Sequence, residues 1–232
     1  MVVQFYYDLL SQPCRAVYMF LQGTGIEYEK KPIELVKGEQ RSEEFVKINP
    51  YHKVPAIVDG DMCLSESAAI MRYLAVKFNV AESWYPRTDL VKQARCDEFL
   101  HWQHLFLRRF CVEIFLPTIR SKMALNAFLP KVPLDEAKVQ ENKELTKKAV
   151  NNLAEYFIGD KPYILGDEIS VADLVGVVEL TQLDMIDEQD CYAFNEKVKA
   201  WVERVQKRMG ADYDICWEKM KSLRGKYLEA CK

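Results

Sequence analysis

A chain of 232 residues, 49% apolar and with a formal net charge of −3, has room for one large domain or two small ones and lacks the basic excess of a general nucleic-acid binder. Its start, MVVQFYYDLL, shows neither the basic region nor the small-residue cleavage site of a secretory leader, and no run approaches the ~18 apolar residues of a spanning helix. The seven cysteines are odd in number, irregularly spaced and without a CxxC pair, which favours reduced thiols in the cytosol over a disulfide framework or a zinc site.

Residues 2–7 (VVQFYY) are β-branched and aromatic and predict a first strand. Ser11-Gln12-Pro13 then opens a helix, with Ser11 as N-cap and the proline in the first turn. Cys14, Val17, Tyr18 and Leu21 recur at helical spacing, and Gly23 and Gly25 end the run. An extended segment near 27–34 and a short helix over 42–47, entered through Ser42, come next. Val54 to Val58 reads as a strand with Pro55 at its head, Asp59-Gly60 as a hairpin signal, and Met62 to Leu64 as the returning strand. Ser65-Glu66-Ser67 opens a helix with apolar residues at 70, 74 and 78. The order β-α-β-α-β-β-α contains a βαβ unit, hence parallel strands and a crossover helix, and the hairpin adds an antiparallel edge.

After residue 79 the strands stop. "NVAESWYPRTDL" (79–90) reads as a linker, 89–116 as one long amphipathic helix ended or kinked at Pro117, and 121–133 as an irregular connection with Pro130 and Pro133. Leu145, Ala149, Leu153 and Phe157 mark a helix over 134–158. Ser170-Val171-Ala172-Asp173 matches a capping box with Asp in place of Glu, flanked by Ile169 and Leu174 as a hydrophobic staple. Two further helices are expected over 191–208 and 212–230. His101 and His104 share a helix face, but no nearby cysteine or carboxylate pair completes a metal ligand set.

The α/β half, with a proline heading its third strand, resembles a thioredoxin-type domain. That implies a cis Val54–Pro55 bond and a Val54 backbone turned outward, where a peptide-like ligand can pair as an added strand. Over nearly the whole chain, "SQPCRAVY" (11–18), "NPYHKVPAIVDG" (49–60), "LSESAAIMRYL" (64–74), "WYP" (84–86), "WQHLFLRR" (102–109) and "ISVADL" (169–174) together resemble the cytosolic glutathione transferases of theta class. The fold class so implied is α/β plus all-α. A thioredoxin-like, glutathione-binding domain (βαβαββα) over 1–78 and a linker over 79–90 precede an all-helical domain over 91–232 that contributes the electrophile pocket. The implied reaction joins the thiolate of glutathione, as co-substrate and without a metal, to alkyl halides, epoxides or activated sulfate esters, with peroxide reduction as a side activity. The implied setting is a cytoplasmic homodimer that binds no nucleic acid and inserts into no membrane.

Glutathione presents two carboxylates, an ammonium, two amides and a thiol. Glu66 and Ser67 stand at a helix N-terminus, where free N–H groups and the dipole favour anions. By themselves they read as helix capping. The resemblance assigns the γ-glutamyl carboxylate to Ser67 and its ammonium to Glu66. It gives Val54 the backbone bonds to the cysteinyl unit and brings Lys53, otherwise a solvated loop lysine, to the glycyl carboxylate as a point charge. Gln40 falls where theta members often carry histidine and offers that carboxylate an uncharged donor. Of the pair Arg108-Arg109, the resemblance places Arg108 in the cleft, where it stabilises the thiolate or a leaving anion.

Four groups near the N-terminus compete to act on the thiol. Tyr6 or Tyr7 matches the donor of tyrosine-type members, although alternation on a strand reads both as packing. Cys14 falls where a dithiol oxidoreductase keeps its second cysteine, and also reads as a small buried hydrophobe. Ser11 takes the theta position. One hydrogen bond to a charged acceptor contributes ~1.5–3 kcal/mol and a pKa unit is ~1.4 kcal/mol, so a single hydroxyl lowers a thiol pKa by roughly one to two units. The electrophile pocket is expected between the domains, lined by Leu9, Leu10, Leu35, Leu105, Phe106 and Ile114 and shaped by 121–133 and the C-terminal helix. Two alternatives stand beside this reading. One is a non-catalytic binding protein on the same fold, which would have no need to keep Ser11, Lys53, Glu66 and Ser67 together. The other is a glutathione oxidoreductase that depends on Cys14.

Overall fold

A computed structural model of the chain describes residues 2–232. Strand β1 (Val3–Tyr7), helix α1 (Gln12–Thr24) and strand β2 (Tyr28–Pro32) form the parallel βαβ unit, with Val3 opposite Tyr28 and Tyr7 opposite Pro32. Helix α2 (Glu43–Ile48), strands β3 (Ala56–Asp59) and β4 (Met62–Ser65) and helix α3 (Ser67–Lys77) complete this half. The sheet order is β2-β1-β3-β4, with β3 antiparallel to both β1 and β4. This is the thioredoxin-like arrangement. Asp59 pairs with Met62 across a two-residue turn whose Gly60 has φ +63°, the left-handed value such a turn requires. Ser42 caps α2 by accepting from Phe45 N–H at 3.2 Å, and the Val54–Pro55 bond is cis. On β1, Val3 and Phe5 enter the main core, while Tyr6 faces the other side against Phe45.

The other half is helical: α4 (Leu90–Leu105), α5 (Leu107–Lys122), α6 (Glu136–Asn152), α7 (Val171–Thr181), α8 (Asp190–Ala193), α9 (Glu196–Met209) and α10 (Ala211–Ala230). The single helix expected over 89–116 is in fact two. The break falls at Phe106 (φ −109°, ψ −70°), and Pro117 sits inside α5 instead of ending it. Ile114, Phe115 and Ile119 are buried on both sides of the proline, so packing carries the helix past a local cost of about 3 kcal/mol. Beyond Asn152 the helix expected to run to 158 widens into a π-helical stretch, Leu153–Ile158. No helix among the described residues is long and apolar enough to cross a membrane.

The segment between α3 and α4 is a wedge, not a loose spacer. Trp84 and Tyr85 are buried, Trp84 meeting Phe20 edge-on at 5.9 Å. Gly23 stays within α1 because a Cβ there would lie 2.6 Å from the Trp84 ring. Tyr85 Oη accepts from Arg72 Nε at 2.9 Å and donates to Asp97 at 3.2 Å.

Helix α7 is buried along its whole length and packs on α1. Its start is pinned by Asp173. One carboxylate oxygen accepts from Ser170 N–H and Oγ (2.9 and 2.7 Å), the other from Ile164 N–H and Trp201 Nε1 (2.9 and 2.8 Å). Burial pushes this carboxyl above its ordinary pKa, and the four donors oppose that. Asp173→Ala removes the acceptor of two amide N–H groups, a hydroxyl and an indole N–H, all buried. It is expected to lower unfolding stability by about 3–5 kcal/mol, measured by denaturant titration, with Trp201→Phe costing about 1–2 kcal/mol.

Candidate functional site

The turn between β1 and α1 is held from below and from both halves. Asp8 is buried, and its carboxylate accepts from Leu10 N–H (2.9 Å) and Leu35 N–H (3.0 Å) while pairing with Lys219 of α10 at 2.9 Å. Lys219 also reaches Glu34 at 3.3 Å. Arg15 is 1% exposed and donates to the carbonyls of Leu9 (2.9 Å), Leu10 (3.2 Å) and Val178 (3.3 Å) and to the Gln182 side chain. These contacts present Ser11 at the N-terminus of α1, its N–H bonded to Asp8 carbonyl at 2.9 Å. Ser11 Oγ makes no capping bond. It donates instead, weakly, to the carbonyl of Val54 at 3.4 Å.

Val54 belongs to the loop before β3. Asn49 shapes that loop by donating to Lys53 carbonyl (2.7 Å) and accepting from Tyr51 N–H (3.1 Å). Two cavities meet there. A polar one of about 280 Å³ is bounded by Lys53, Val54, Glu66, Ser67, His104 and Arg108. An apolar one of about 380 Å³ is bounded by Ser11, Leu10, Leu35, Phe115, Leu129 and Leu223, and it shares Lys53, Val54 and Arg108 with the first. Ser67 is the first residue of α3, so the unpaired N–H groups of that helix open toward the polar cavity. Glu66, its N-cap, has φ +70°, a value that a side-chain-bearing residue seldom adopts.

Arg108 faces the seam between the cavities, its guanidinium ion-paired with the buried Glu179 of α7, whose other oxygen has no partner. Arg109 is exposed. Gln40, on a short turn over Glu39–Arg41, borders neither cavity, and its Oε1 is buried without a partner. Neither tyrosine reaches the seam: Tyr6 Oη donates to Gln4 Oε1 at 3.2 Å, and Tyr7 stacks on Phe5 at 4.7 Å. Cys14 is fully buried among Phe45, Val54 and Ala56, and burial pushes its thiol up to about 12.

Of the six apolar residues expected to line the electrophile pocket, Leu10 and Leu35 do. The other four do not. Leu9 is engaged through its carbonyl by Arg15, Ile114 lies wholly in the core, and Leu105 and Phe106 are 60% and 46% exposed at the helix break. Their place is taken by Val112, Phe115 and Leu116 of α5, Leu125 and Leu129 of the following loop, Val36 and Leu223. His52 is a further residue of this wall that the sequence does not single out. It borders the apolar cavity with its Nδ1 buried and unpartnered.

Residues 3–76 match the family model "Glutathione S-transferase, N-terminal domain" and residues 116–208 "Glutathione S-transferase, C-terminal domain". The chain is 39% identical to human glutathione S-transferase theta-1, over 91% of its own length and 85% of the relative's, and 37% identical to the mouse theta-1 protein over the same shares. Its structure is similar to human glutathione-S-transferase T1-1 in the apo form (TM-score 0.87, 34% identity, 96% of this chain and 91% of that one). It is also similar to a human theta-class glutathione transferase in complex with the glutathione conjugate of 1-menaphthyl sulfate (TM-score 0.85, 33% identity, 100% and 91%).

The cysteines divide by exposure. Cys63 and Cys231 are exposed and the other five are buried. A chromogenic disulfide reagent added to the native protein is expected to titrate those two thiols rapidly and to leave Cys14 unmodified, as mapped by peptide mass. Rapid labelling at Cys14 would return the oxidoreductase reading to contention.

Proposed function

This chain belongs to the theta class of glutathione S-transferases, and from that premise we propose how its own residues carry out glutathione conjugation. The polar cavity receives glutathione. Ser67 and the N–H groups of α3 take the γ-glutamyl carboxylate, Glu66 faces the ammonium, and Val54 pairs with the cysteinyl amide. Lys53 approaches the glycyl carboxylate, with Gln40 as an outer, uncharged donor. The observation that carries this reading is the 3.4 Å contact between Ser11 Oγ and Val54 carbonyl. A cysteinyl unit paired along Val54 brings its sulfur beside a hydroxyl whose present bond is weak and easily exchanged.

Once the thiol proton has left to water, Ser11 donates to the thiolate, and the N-terminus of α1 adds ~0.3–1 kcal/mol in the same direction. The sulfur lone pair then forms the C–S bond as the bond from carbon to the leaving group breaks with its electrons, or as an epoxide C–O bond opens and its oxygen takes a proton from water. Arg108 stands at the seam where that negative charge develops, and its pairing with Glu179 pre-aims it. The apolar cavity holds the carbon skeleton of the electrophile. Alkyl halides, epoxides and activated sulfate esters are the proposed classes, with peroxide reduction as a side activity. The 1-menaphthyl sulfate conjugate held by the similar human enzyme supports the sulfate esters. Residues 1–78 form the glutathione-binding domain, 79–90 the linker and 91–232 the domain that completes the electrophile pocket, in a cytoplasmic homodimer. Seven free cysteines suit a reducing compartment. Ser11, Lys53, Glu66 and Ser67 standing around one seam favours an enzyme over a bare scaffold.

Ser11→Ala is expected to raise the pKa of bound glutathione by roughly one to two units and to lower kcat/KM at neutral pH about 10- to 100-fold. Because thiolate is the reactive form, kcat/KM rises with pH through that pKa, and the variant's profile shifts to higher pH. Retained turnover in Ser11→Ala together with loss in Tyr6→Phe or Tyr7→Phe would reverse the assignment. Arg108→Ala is expected to lower kcat about 10- to 100-fold for an alkyl halide while leaving the glutathione KM within about threefold, as read in steady-state assays.

A further inference from the structure

We propose that the loop over 123–132 is the selectivity wall of the electrophile pocket, clasped to the opposite half of the molecule through Asn126 and Phe128. The proposal rests on the reading that the apolar cavity receives the electrophile. The loop leaves α5 and is drawn back onto it, Val132 N–H donating to Arg120 carbonyl and Arg120 Nε to Pro130 carbonyl, both at 3.0 Å. Asn126 folds the tip, its Oδ1 accepting from Phe128 N–H (2.8 Å) and Leu129 N–H (2.9 Å). Leu125 N–H closes the tip on Leu129 carbonyl at 2.9 Å. The other end of the same amide crosses the pocket mouth, Asn126 Nδ2 donating to Leu35 carbonyl at 2.9 Å.

Phe128 makes the second contact across the gap. It is 52% exposed, so core burial does not hold it. Its ring rests on Gly38, where a Cβ would come within 2.8 Å of Cε2 and where φ is +79°. The Arg41 guanidinium lies over the ring, 4.2 Å from its centroid. Behind this clasp, Leu125, Asn126 and Leu129 face Leu35 and Val36 across the cavity. Two walls from distant parts of the chain are thus held at a fixed separation by contacts that are individually weak. While the clasp is shut, a short electrophile touches both walls and a bulky one is refused. Once it is open, the outer wall is free to yield, which removes contacts from the first and admits the second.

The test uses Phe128→Ala and Arg41→Ala in the full chain; neither residue borders either cavity. Each variant is assayed with glutathione and either a short alkyl halide or a bulky arylmethyl halide, and backbone hydrogen exchange is followed at Leu125 and Leu129. The expected result is a rise of about fivefold or more in the ratio of kcat/KM for the bulky over the short halide, and a higher KM for the short one. Glutathione KM should stay within about twofold, and exchange at the two amides should be about tenfold faster. An unchanged ratio in variants that still conjugate, whatever the exchange rates, overturns the proposal and leaves the conjugation reading standing. A wild type that conjugates neither halide overturns that reading and the proposal with it.

Discussion

The guanidinium of Arg15 joins the two halves of the molecule at the point where the site is built. It rises from α1 into a place closed to water, and no carboxylate touches it among the described residues. Its terminal N–H groups are taken by the carbonyls of Leu9, Leu10 and Val178 and by Gln182, and the Trp217 ring of α10 lies 5.8 Å away. A buried cation is tolerable only when its donors are filled, and carbonyls turned inward at a tight bend are tolerable only when a donor meets them. Each side answers the other's unsatisfied groups. The bend that ends in Ser11 therefore takes its shape from α7 of the helical half as much as from the sheet, and Ser11 is correctly presented only when the halves are docked.

The same logic recurs at the other members of the site. Asp8 lies under the bend and is met by Lys219 from α10, some two hundred residues later. Arg108 comes from α5 and is aimed by Glu179 from α7. The polar cavity draws on helix N-termini and an irregular strand entry, which offer backbone donors at fixed positions. The apolar cavity is walled by side chains of α5, α10 and two loops. Under the proposed assignment, recognition of the constant partner and accommodation of the variable one fall to different kinds of structure.

What could be read in advance divides along the reach of the forces involved. Ser42, Asp59-Gly60 and the Ser170–Asp173 box act within four residues and appear where local chemistry puts them; the helix after Ser11 also starts where expected, although the Ser11 hydroxyl turns to Val54 instead of capping it. Pro117 does not end its helix, because burial of Ile114, Phe115 and Ile119 outweighs the local preference, and the break at Phe106 has no glycine or proline to mark it. The pocket wall was the least legible part. Ile114 and Phe115 are adjacent apolar residues on one helix, yet Ile114 lies wholly in the core and Phe115 borders the cavity. Only the rotation of α5 separates them. Leu125, Leu129 and Leu223 carry no periodic signal that distinguishes a cavity wall from ordinary core. The preference for Arg108 over Arg109 follows in the sequence from the family resemblance alone; its physical basis, the pairing with Glu179, lies 71 positions away.

Glu66 shows how such a site constrains change. With φ +70°, it holds a backbone conformation that costs a residue with a side chain on the order of 1–3 kcal/mol and costs glycine almost nothing. On stability alone, glycine is the better residue there. A programme of stabilising substitutions that scored only folding would choose it early and would discard the carboxylate at the N-cap position of α3. Position 66 is therefore one where improving the scaffold and preserving the chemistry pull in opposite directions, and thermostable variants of this chain should be built around it.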